Sequence, residues 1–225
     1  MPSPAVIFDL DGTLADTLGD IADVANATMA ACGGPQHDDE GWSRLVGHGA
    51  RFLIRGALPD ADDATIDEVT ADFRRRYAQL TTSRTRPYPG VPELLTDLTD
   101  RQIPLAVFSN KPEPLAVGVV DDHFGETPFK AVRGARDDAP LKPDPTVALL
   151  IADQLQTTPD RIHFLGDTAV DIQTARDAGM IAVGAAWGFR DADELRDAGA
   201  DHVIDHPEAL LPLLDASASP ARHSR

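Results

Sequence analysis

The stretch Val6-Ile7-Phe8-Asp9-Leu10-Asp11-Gly12-Thr13-Leu14 joins a short apolar run to a turn that carries two acids. Four further short runs end in polar loops: Leu105 to Phe108, Ile162 to Leu165, Ile181 to Val183 and His202 to Ile204. Runs of this kind are typical of strands that are buried on both faces of a parallel sheet. Helical patterns lie between them, at 91–98, 146–155 and 168–178. This alternation predicts an α/β fold with a doubly wound, Rossmann-like parallel sheet.

The region between the first strand and Pro87 has a purely helical pattern. Apolar residues at helical spacing indicate helices over 18–29 and 66–80, with a short helix around Leu53. We therefore predict three parts: an α/β core at 1–15 and 87–213, an inserted all-helical cap at 16–86, and a disordered tail at 214–225.

The composition limits the classes of partner. The 225 residues include 20 basic and 37 acidic side chains, so the formal net charge is −17. Such an acid excess repels polyanions and argues against nucleic acid or an anionic membrane surface as a partner. Cys32 is the only cysteine, which excludes an intrachain disulfide and a cysteine-rich metal site. With no signal-peptide pattern and no long apolar stretch, we expect a cytoplasmic protein.

Asp9 and Asp11 occupy the position where the first predicted strand ends. The carboxyl ends of parallel strands are where open α/β sheets bind ligands. Residues two apart in extended chain lie on the same side, and two such carboxylates repel each other unless a cation or a shared proton intervenes. Hard oxygen ligands of this kind suit Mg²⁺. Taken alone, the pair would also fit a polar turn with an acidic helix cap.

Three later segments carry polar groups at corresponding places. Ser109-Asn110 follows the second predicted strand, and a hydroxyl and backbone amides there could bind phosphate oxygens. Lys142 stands just before a predicted helix, in the sequence Leu-Lys-Pro-Asp-Pro. Asp167 and Asp171 flank the first turn of another helix. A plain turn, a surface lysine and a favourable helix dipole would explain each segment separately, but together they indicate one anion and metal site.

With these motifs in place, the sequence resembles the haloacid dehalogenase-like phosphohydrolases. The matching segments appear in the family's order: DLDGTLADT at 9–17, FSN at 108–110, LKPDP at 141–145 and GDTAVD at 166–171. Within the family the chain is most similar to the phosphoglycolate phosphatase branch. The shared segments are 46–50, YPGVPELL at 88–95 and WGFRDADELRDAGADHVID at 187–205.

The resemblance implies a role for each motif residue. Asp9 would be the nucleophile that forms an aspartyl-phosphate, and Asp11 would protonate the leaving alkoxide and later deprotonate the attacking water. Lys142 would neutralise charge on the nucleophile and the phosphate. The implied phosphate-binding residues are Thr13, Ser109, Asn110 and Lys142. The implied Mg²⁺ partners are Asp9, Asp11 through its backbone carbonyl, Asp167, and Asp171 directly or through another ligand.

The implied substrate is a small phosphorylated metabolite, 2-phosphoglycolate, and the cap would supply contacts to its leaving group. Three cationic side chains of the cap are candidates for binding a substrate carboxylate: Arg44, His48 and Arg51. His48 stands between two glycines and is the preferred candidate, although arginines on a helix surface are also common without a ligand. Trp42 and Phe52 are expected to pack inside the cap.

Several alternatives remain open. The second acid at Asp11 argues against a dehalogenase, and the absence of lysine between Cys32 and Arg86 argues against a phosphonate-cleaving enzyme. A β-phosphoglucomutase-like mutase, or a phosphatase for another small organic phosphate, shares the same motifs. Outside this chemistry, the alternatives are a phosphorylatable receiver-type signalling domain and a catalytically silent binding module. A monomer or a homodimer is expected.

Overall fold

The computed structural model describes residues 3–80 and 83–218. Its strands are β1 (Ala5–Phe8), β2 (Ala15–Asp16), β3 (Arg86–Pro87), β4 (Leu105–Pro112), β5 (Ala131–Ala135), β6 (Ile162–Gly166), β7 (Ile181–Ala185) and β8 (His202–Ile204). Its helices are α1 (Leu18–Cys32), α2 (Asp39–Ser43), α3 (Ala50–Ala57), α4 (Asp63–Ala78), α5 (Val91–Asp100), α6 (Glu113–Phe124), α7 (Thr146–Leu155), α8 (Ala169–Asp177), α9 (Ala192–Asp197) and α10 (Leu210–Ala218).

Six strands form one parallel sheet in the order β5-β4-β1-β6-β7-β8. Alternate residues of the central strand β1 enter separate cores: Val6 and Phe8 on one face, Ala5 and Ile7 on the other. All four are fully buried. The predicted doubly wound sheet, with both faces covered, is therefore confirmed.

All five predicted strands and every predicted core helix are present, but several elements were missed. The strand β5 has the sequence Ala-Val-Arg-Gly-Ala and lies at the sheet edge, where an arginine and a glycine weaken the apolar pattern. The helices missed are α2, α6, α9 and α10. The predicted tail also began too early, because α10 continues through Ala218 and residues 214–218 are therefore helical. Residues 219–225 lie outside the described part of the chain.

Helices α1 to α4 enclose a separate apolar core in the region predicted to be the cap. Trp42, Ile54 and Ile66 are fully buried there. The expectation for Trp42 is confirmed, whereas the one for Phe52 is wrong. Phe52 is 47% exposed, and its ring lies 4.3 Å from that of His48.

The two chain connections to this helical region run side by side. Strands β2 and β3 pair antiparallel, with Asp16 opposite Arg86, so the boundaries predicted at 16 and 86 fall within the ribbon. The carboxylate of Asp20 in α1 accepts hydrogen bonds from Arg84 N at 2.7 Å and Thr85 Oγ1 at 2.6 Å. Burial alone would raise the pKa of Asp20, but the hydrogen bonds outweigh it and lower the pKa. The start of the cap is thereby fastened to the strand that leaves it.

Among the described residues, no helix combines the length and apolar content needed to cross a bilayer.

Candidate active site

Three buried carboxylates meet at the carboxyl end of the sheet. Asp9 follows β1, Asp167 follows β6, and Asp171 lies in the first turn of α8. One carboxylate oxygen from each lies within 4.8 Å of the others. The pairing of β1 with β6 brings the first two acids together, as predicted from their positions after parallel strands.

Asp171 is held by the helix that it begins. Thr168 donates to Asp171 Oδ2 from its backbone nitrogen at 3.1 Å and from its hydroxyl at 2.6 Å, and the first of these bonds is part of a capping box formed by the two residues. Only glycine fits beside it at position 166, because a Cβ there would lie 2.3 Å from the Cβ of Asp171. The remaining oxygen, Oδ1, therefore points at a fixed angle toward Lys142.

Lys142 is the cation of this cluster. Its Nζ lies 2.6 Å from Asp171 Oδ1 and 2.8 Å from Asp9 Oδ1, and its side chain is 2% exposed. Burial alone would lower the pKa of Lys142, but Asp171 and Asp9 outweigh it and raise the pKa. The ammonium therefore stays charged beside the expected nucleophile.

Asn110 positions the lysine loop. It donates from Nδ2 to Lys142 O at 3.0 Å and accepts from Lys142 N at 2.9 Å. The same Nδ2 donates to Gly47 O of the cap at 3.0 Å. The sequence suggested that Asn110 binds phosphate. In the structure its side-chain amide is instead occupied by these backbone groups, so it positions the lysine loop and the cap.

The acids outnumber the single ammonium. The pKa of Asp9 is raised to about 7, first by burial and then by the charge of Asp171, against the opposing effect of Lys142. Burial and the charge of Asp9 likewise raise the pKa of Asp167. Two buried anions without a matching cation are unfavourable, so the site has an electrostatic need for further positive charge.

The local geometry fits a small cation. Asp9 Oδ1 is buried, and among the described residues its one close polar partner is the ammonium of Lys142 at 2.8 Å, so it retains room for a further positive ligand. Gly12, at φ +87°, allows the backbone to approach Asp167 closely, and a Cβ there would lie 2.2 Å from Asp167 Oδ2. Carboxylate and carbonyl oxygens are ligands for hard divalent ions.

The hydroxyls near the cluster have different surroundings. Thr13 Oγ1 donates to Asp167 Oδ1 at 3.1 Å, so this residue supports the acid cluster. The sequence suggested a contact between this hydroxyl and phosphate, whereas in the structure the hydroxyl donates to Asp167. Ser109 is buried and lines the cavity beside Asp9. It accepts a hydrogen bond from Lys111 N at 3.2 Å, which leaves its O–H able to donate to a bound oxyanion.

Asp11 stands apart from the three clustered acids. Its Oδ1 lies 2.9 Å from Lys111 Nζ, which also lies 2.6 Å from Tyr77 Oη of the cap. Sequence reasoning missed this contact, although a signal was present: lysine supplies only three of the 20 basic residues, at 111, 130 and 142. Because Asp11 lines the cavity, its carboxyl can exchange a proton with a group bound there.

A cavity of about 50 Å³ lies between the strand ends and the cap. Asp9, Asp11 and Ser109 form its core side. The cap side is mostly apolar and is lined by Ile21, Val46, Ala50, Leu53 and Phe73. A phosphate ester bound to Asp9 would therefore place its leaving group against a small, largely apolar chamber.

The cap arginines proposed as substrate contacts lie elsewhere. Arg44 pairs with Glu40, and Arg51 lies 2.7 Å from Asp67, on the cap surface. His48 is exposed overall, but its ring is partly shielded from water; this partial desolvation, followed by the charge of Arg190, lowers its pKa. None of the three predicted contacts lines the chamber; the neighbouring Gly47 and Gly49 do.

Arg190 links the core to the cap from the loop after β7. Its guanidinium donates to three backbone oxygens of the cap: Ser43 O at 2.8 Å, Val46 O at 3.0 Å and Arg44 O at 3.1 Å. With the Asn110 bond to Gly47, these contacts hold the segment after α2 over the cavity. The segment over the chamber is thus held by contacts from the core as well as by packing within the cap.

Comparison with known proteins agrees with the motifs. The profile of the haloacid dehalogenase-like hydrolases matches residues 6–185. N-acetylmuramic acid 6-phosphate phosphatase of Pseudomonas aeruginosa is 34% identical, over 94% of each chain. Phosphoglycolate phosphatase of Agrobacterium fabrum is 36% identical, over 94% of this chain and 92% of its own.

A solved structure supports the same assignment. CbbY from Rhodobacter sphaeroides, in complex with phosphate, superposes with a TM-score of 0.79 and 26% identity, over 95% of this chain and 100% of its own. The family profile covers most of the chain, and both relatives match almost from end to end. The chain therefore belongs to the haloacid dehalogenase-like hydrolases.

Proposed function

We propose that this chain is a Mg²⁺-dependent phosphatase that hydrolyses 2-phosphoglycolate to glycolate and phosphate. The family membership and the phosphatase names of its relatives support the reaction class. The observation that carries the substrate assignment is the size of the chamber beside Asp9 and Asp11. Its volume of about 50 Å³ corresponds to roughly four water molecules, at about 10–15 Å³ for each.

That small volume favours the smaller of the two substrates suggested by the relatives. Glycolate has five non-hydrogen atoms and is close in size to the few water molecules that the chamber holds. An N-acetylated amino sugar bearing a lactyl ether is several times larger and would have to extend beyond the chamber. The same argument opposes a sugar-phosphate mutase, since its substrate also carries a whole sugar ring. The length of 225 residues and the helical insertion oppose a receiver-type domain, and the presence of every motif residue opposes a silent binding module.

The first chemical step is phosphoryl transfer to Asp9. A carboxylate oxygen of Asp9 attacks phosphorus, the bond from phosphorus to the alkyl oxygen breaks, and Asp11 gives its proton to that leaving oxygen. Lys142 lies close enough to Asp9 to offset repulsion between the carboxylate and the phosphate. Ser109 and backbone amides donate hydrogen bonds to the phosphate oxygens.

The second step restores the enzyme. Water attacks the phosphorus of the aspartyl-phosphate while Asp11, now ionised, accepts its proton, and inorganic phosphate leaves Asp9. When bound, Mg²⁺ supplies positive charge that orients the phosphate and stabilises its equatorial oxygens. Asp9, Asp167 and the backbone carbonyl of Asp11 would hold the ion, and Asp171 would act chiefly through Lys142 and the start of α8.

The cellular setting proposed is the cytoplasm, since the single cysteine, Cys32, is exposed and unpaired. The partner is a small phosphorylated metabolite, and the net charge of −17 argues against a nucleic acid. We propose a monomer or a homodimer.

A substrate panel tests the proposal. Phosphate release is measured with Mg²⁺ from 2-phosphoglycolate, N-acetylmuramic acid 6-phosphate and β-glucose 1-phosphate, with Asp9→Asn as the inactive control. We expect kcat/KM for 2-phosphoglycolate to exceed the others by about 100-fold, since a poorly accommodated leaving group forfeits several contacts. A higher value for either sugar phosphate would overturn the substrate assignment, and sugar-phosphate isomerisation would establish the mutase.

A further inference from the structure

Lys111 is a buried lysine in the wall of the chamber that the proposed phosphatase mechanism does not use. It follows Ser109 and Asn110 in β4, and its side chain is 2% exposed. Its ammonium has three N–H groups, and the described residues supply two acceptors: Asp11 Oδ1 at 2.9 Å and Tyr77 Oη at 2.6 Å. A buried ammonium with an unfilled donor is unfavourable, so the site favours a third acceptor.

The charge on Lys111 is secure. Asp11 Oδ1 at 2.9 Å and Tyr77 Oη at 2.6 Å both accept hydrogen bonds from the ammonium, and these contacts favour its charged form. The ammonium also lies 4.4 Å from the centre of the Tyr77 ring, a cation–π distance that favours the charged form. The chamber therefore has a positively charged side chain next to Asp11, the proposed proton donor.

No other cation competes for this role. Among the residues that line the chamber, all within the described part of the chain, Lys111 is the single cationic side chain. Lys142 is already engaged by Asp9 and Asp171, and Arg44 and Arg51 pair with acids on the cap surface. A negative group on the leaving side of the substrate would meet Lys111.

The position of Lys111 also fits the length of the substrate. Asp11 must reach the oxygen that joins phosphorus to the leaving group, and Lys111 Nζ is in direct contact with Asp11. In 2-phosphoglycolate the carboxylate carbon is two bonds beyond that oxygen. A carboxylate so placed comes within hydrogen-bond reach of an ammonium beside Asp11.

We propose that Lys111 is a specificity residue that binds the carboxylate of the leaving group and so selects phosphate esters of short α-hydroxy acids. This inference rests on the proposed function. Tyr77, supplied by the cap helix α4, would hold the ammonium in place when the cap is closed. The cap would then contribute to selectivity through a core lysine rather than through its own arginines.

The test compares two substrates of similar size that differ in charge. The substrates are 2-phosphoglycolate and 2-hydroxyethyl phosphate, which carries an alcohol where the former carries a carboxylate. For the unaltered enzyme we expect kcat/KM to favour the carboxylate by about 100-fold, because a site built for a charged partner rejects an analogue that lacks it. In Lys111→Met, which keeps an unbranched side chain shorter by one atom and removes the charge, we expect the ratio to fall to within about threefold of unity.

The ratio distinguishes recognition from a structural effect. Any disturbance of Asp11 caused by losing Lys111 slows both substrates together and cancels in the ratio. Lys130→Met, at an exposed lysine, is the matched control and should keep both rates. Tyr77→Phe removes the hydroxyl but keeps the ammonium, so it should retain most of the selectivity even if both rates fall.

The outcomes separate the two proposals. If the unaltered enzyme does not hydrolyse 2-phosphoglycolate but hydrolyses a larger phosphate ester, the proposed function is wrong. If it prefers 2-phosphoglycolate and Lys111→Met keeps that preference, the role of Lys111 is wrong. If Lys111→Met does not fold, Lys111→Gln provides the same ratio, and unchanged selectivity in that variant would equally refute the proposal.

Discussion

Replacing Asp9 by asparagine should stabilise the metal-free protein while abolishing its activity. The Asp9 carboxyl is buried beside Asp171, and its pKa is raised from 3.8 to about 7. A raised pKa means that the ionised form is disfavoured in the folded state. The free energy of unfolding therefore decreases as pH rises from about 4 to about 7, and it stays reduced above that range.

The size of the effect follows from the shift in pKa. A difference of about three pKa units corresponds to an upper limit of about 4 kcal/mol, at about 1.4 kcal/mol for each unit. Asparagine removes the charge but also removes an anion next to Lys142. Because Lys142 keeps its contact with Asp171, we expect a net gain of about 1–2 kcal/mol at pH 8 without metal.

Urea unfolding followed by circular dichroism, with a chelator present, measures this difference. The control is Asp193→Asn, whose side chain is 90% exposed and which should change stability by less than about 0.5 kcal/mol. Mg²⁺ at about 100 times its dissociation constant should stabilise the unaltered protein by about 2.7 kcal/mol and the variant far less. A metal-free Asp9→Asn protein less stable than the unaltered one would refute the electrostatic reasoning.

Three further predictions concern other parts of the molecule. Arg190→Met removes three hydrogen bonds to cap carbonyls and should raise KM for 2-phosphoglycolate about tenfold in steady-state assays; an unchanged KM would show that these bonds do not hold the cap. Gly12→Ala should abolish Mg²⁺-dependent thermal stabilisation, because its Cβ would meet Asp167, whereas Gly118→Ala, in open space on α6, should not. Burial, followed by the charges of His202 and Arg161, lowers the pKa of His163 to about 4, so the free energy of unfolding should fall as pH drops from about 6.5 to 4. In urea unfolding, His163→Leu should reduce this pH dependence by up to about 3 kcal/mol. An equal pH dependence in both proteins would contradict the assignment.

That Asp9 and Asp167 lie together could be predicted because their positions follow from the parallel sheet. Asp9 and Asp167 each come directly after a short apolar strand, and parallel neighbours end at the same edge. The strand β5 escaped prediction because Arg133 and Gly134 interrupt its pattern. Glycine is needed there, since a Cβ would lie 2.4 Å from the Cα of Glu113. A close approach of two backbones leaves no periodic signal in the sequence.

Contacts between the cap and the core could not be predicted in the same way. Tyr77 fits the apolar face of its own helix, and nothing in its spacing indicates that its hydroxyl reaches Lys111. For the cap arginines, the sequence predicted a ligand contact that the structure does not place in the chamber. Their charge indicated an anion site, but neighbouring acids such as Glu40 and Asp67 on the same surface pair with them. Which cation remains available to a ligand depends on tertiary packing, not on composition.

The β2–β3 ribbon has a consequence for how the chain is assembled. Because Asp16 lies opposite Arg86, the two ends of the whole helical region are already neighbours. A tight hairpin turn could join them without moving β1 or the acids that follow it. The core is thus topologically complete without its cap, and the cap can be treated as an exchangeable module. Grafting a different helical insert between these two positions would alter which alcohols leave, while the phosphate chemistry stays with the sheet.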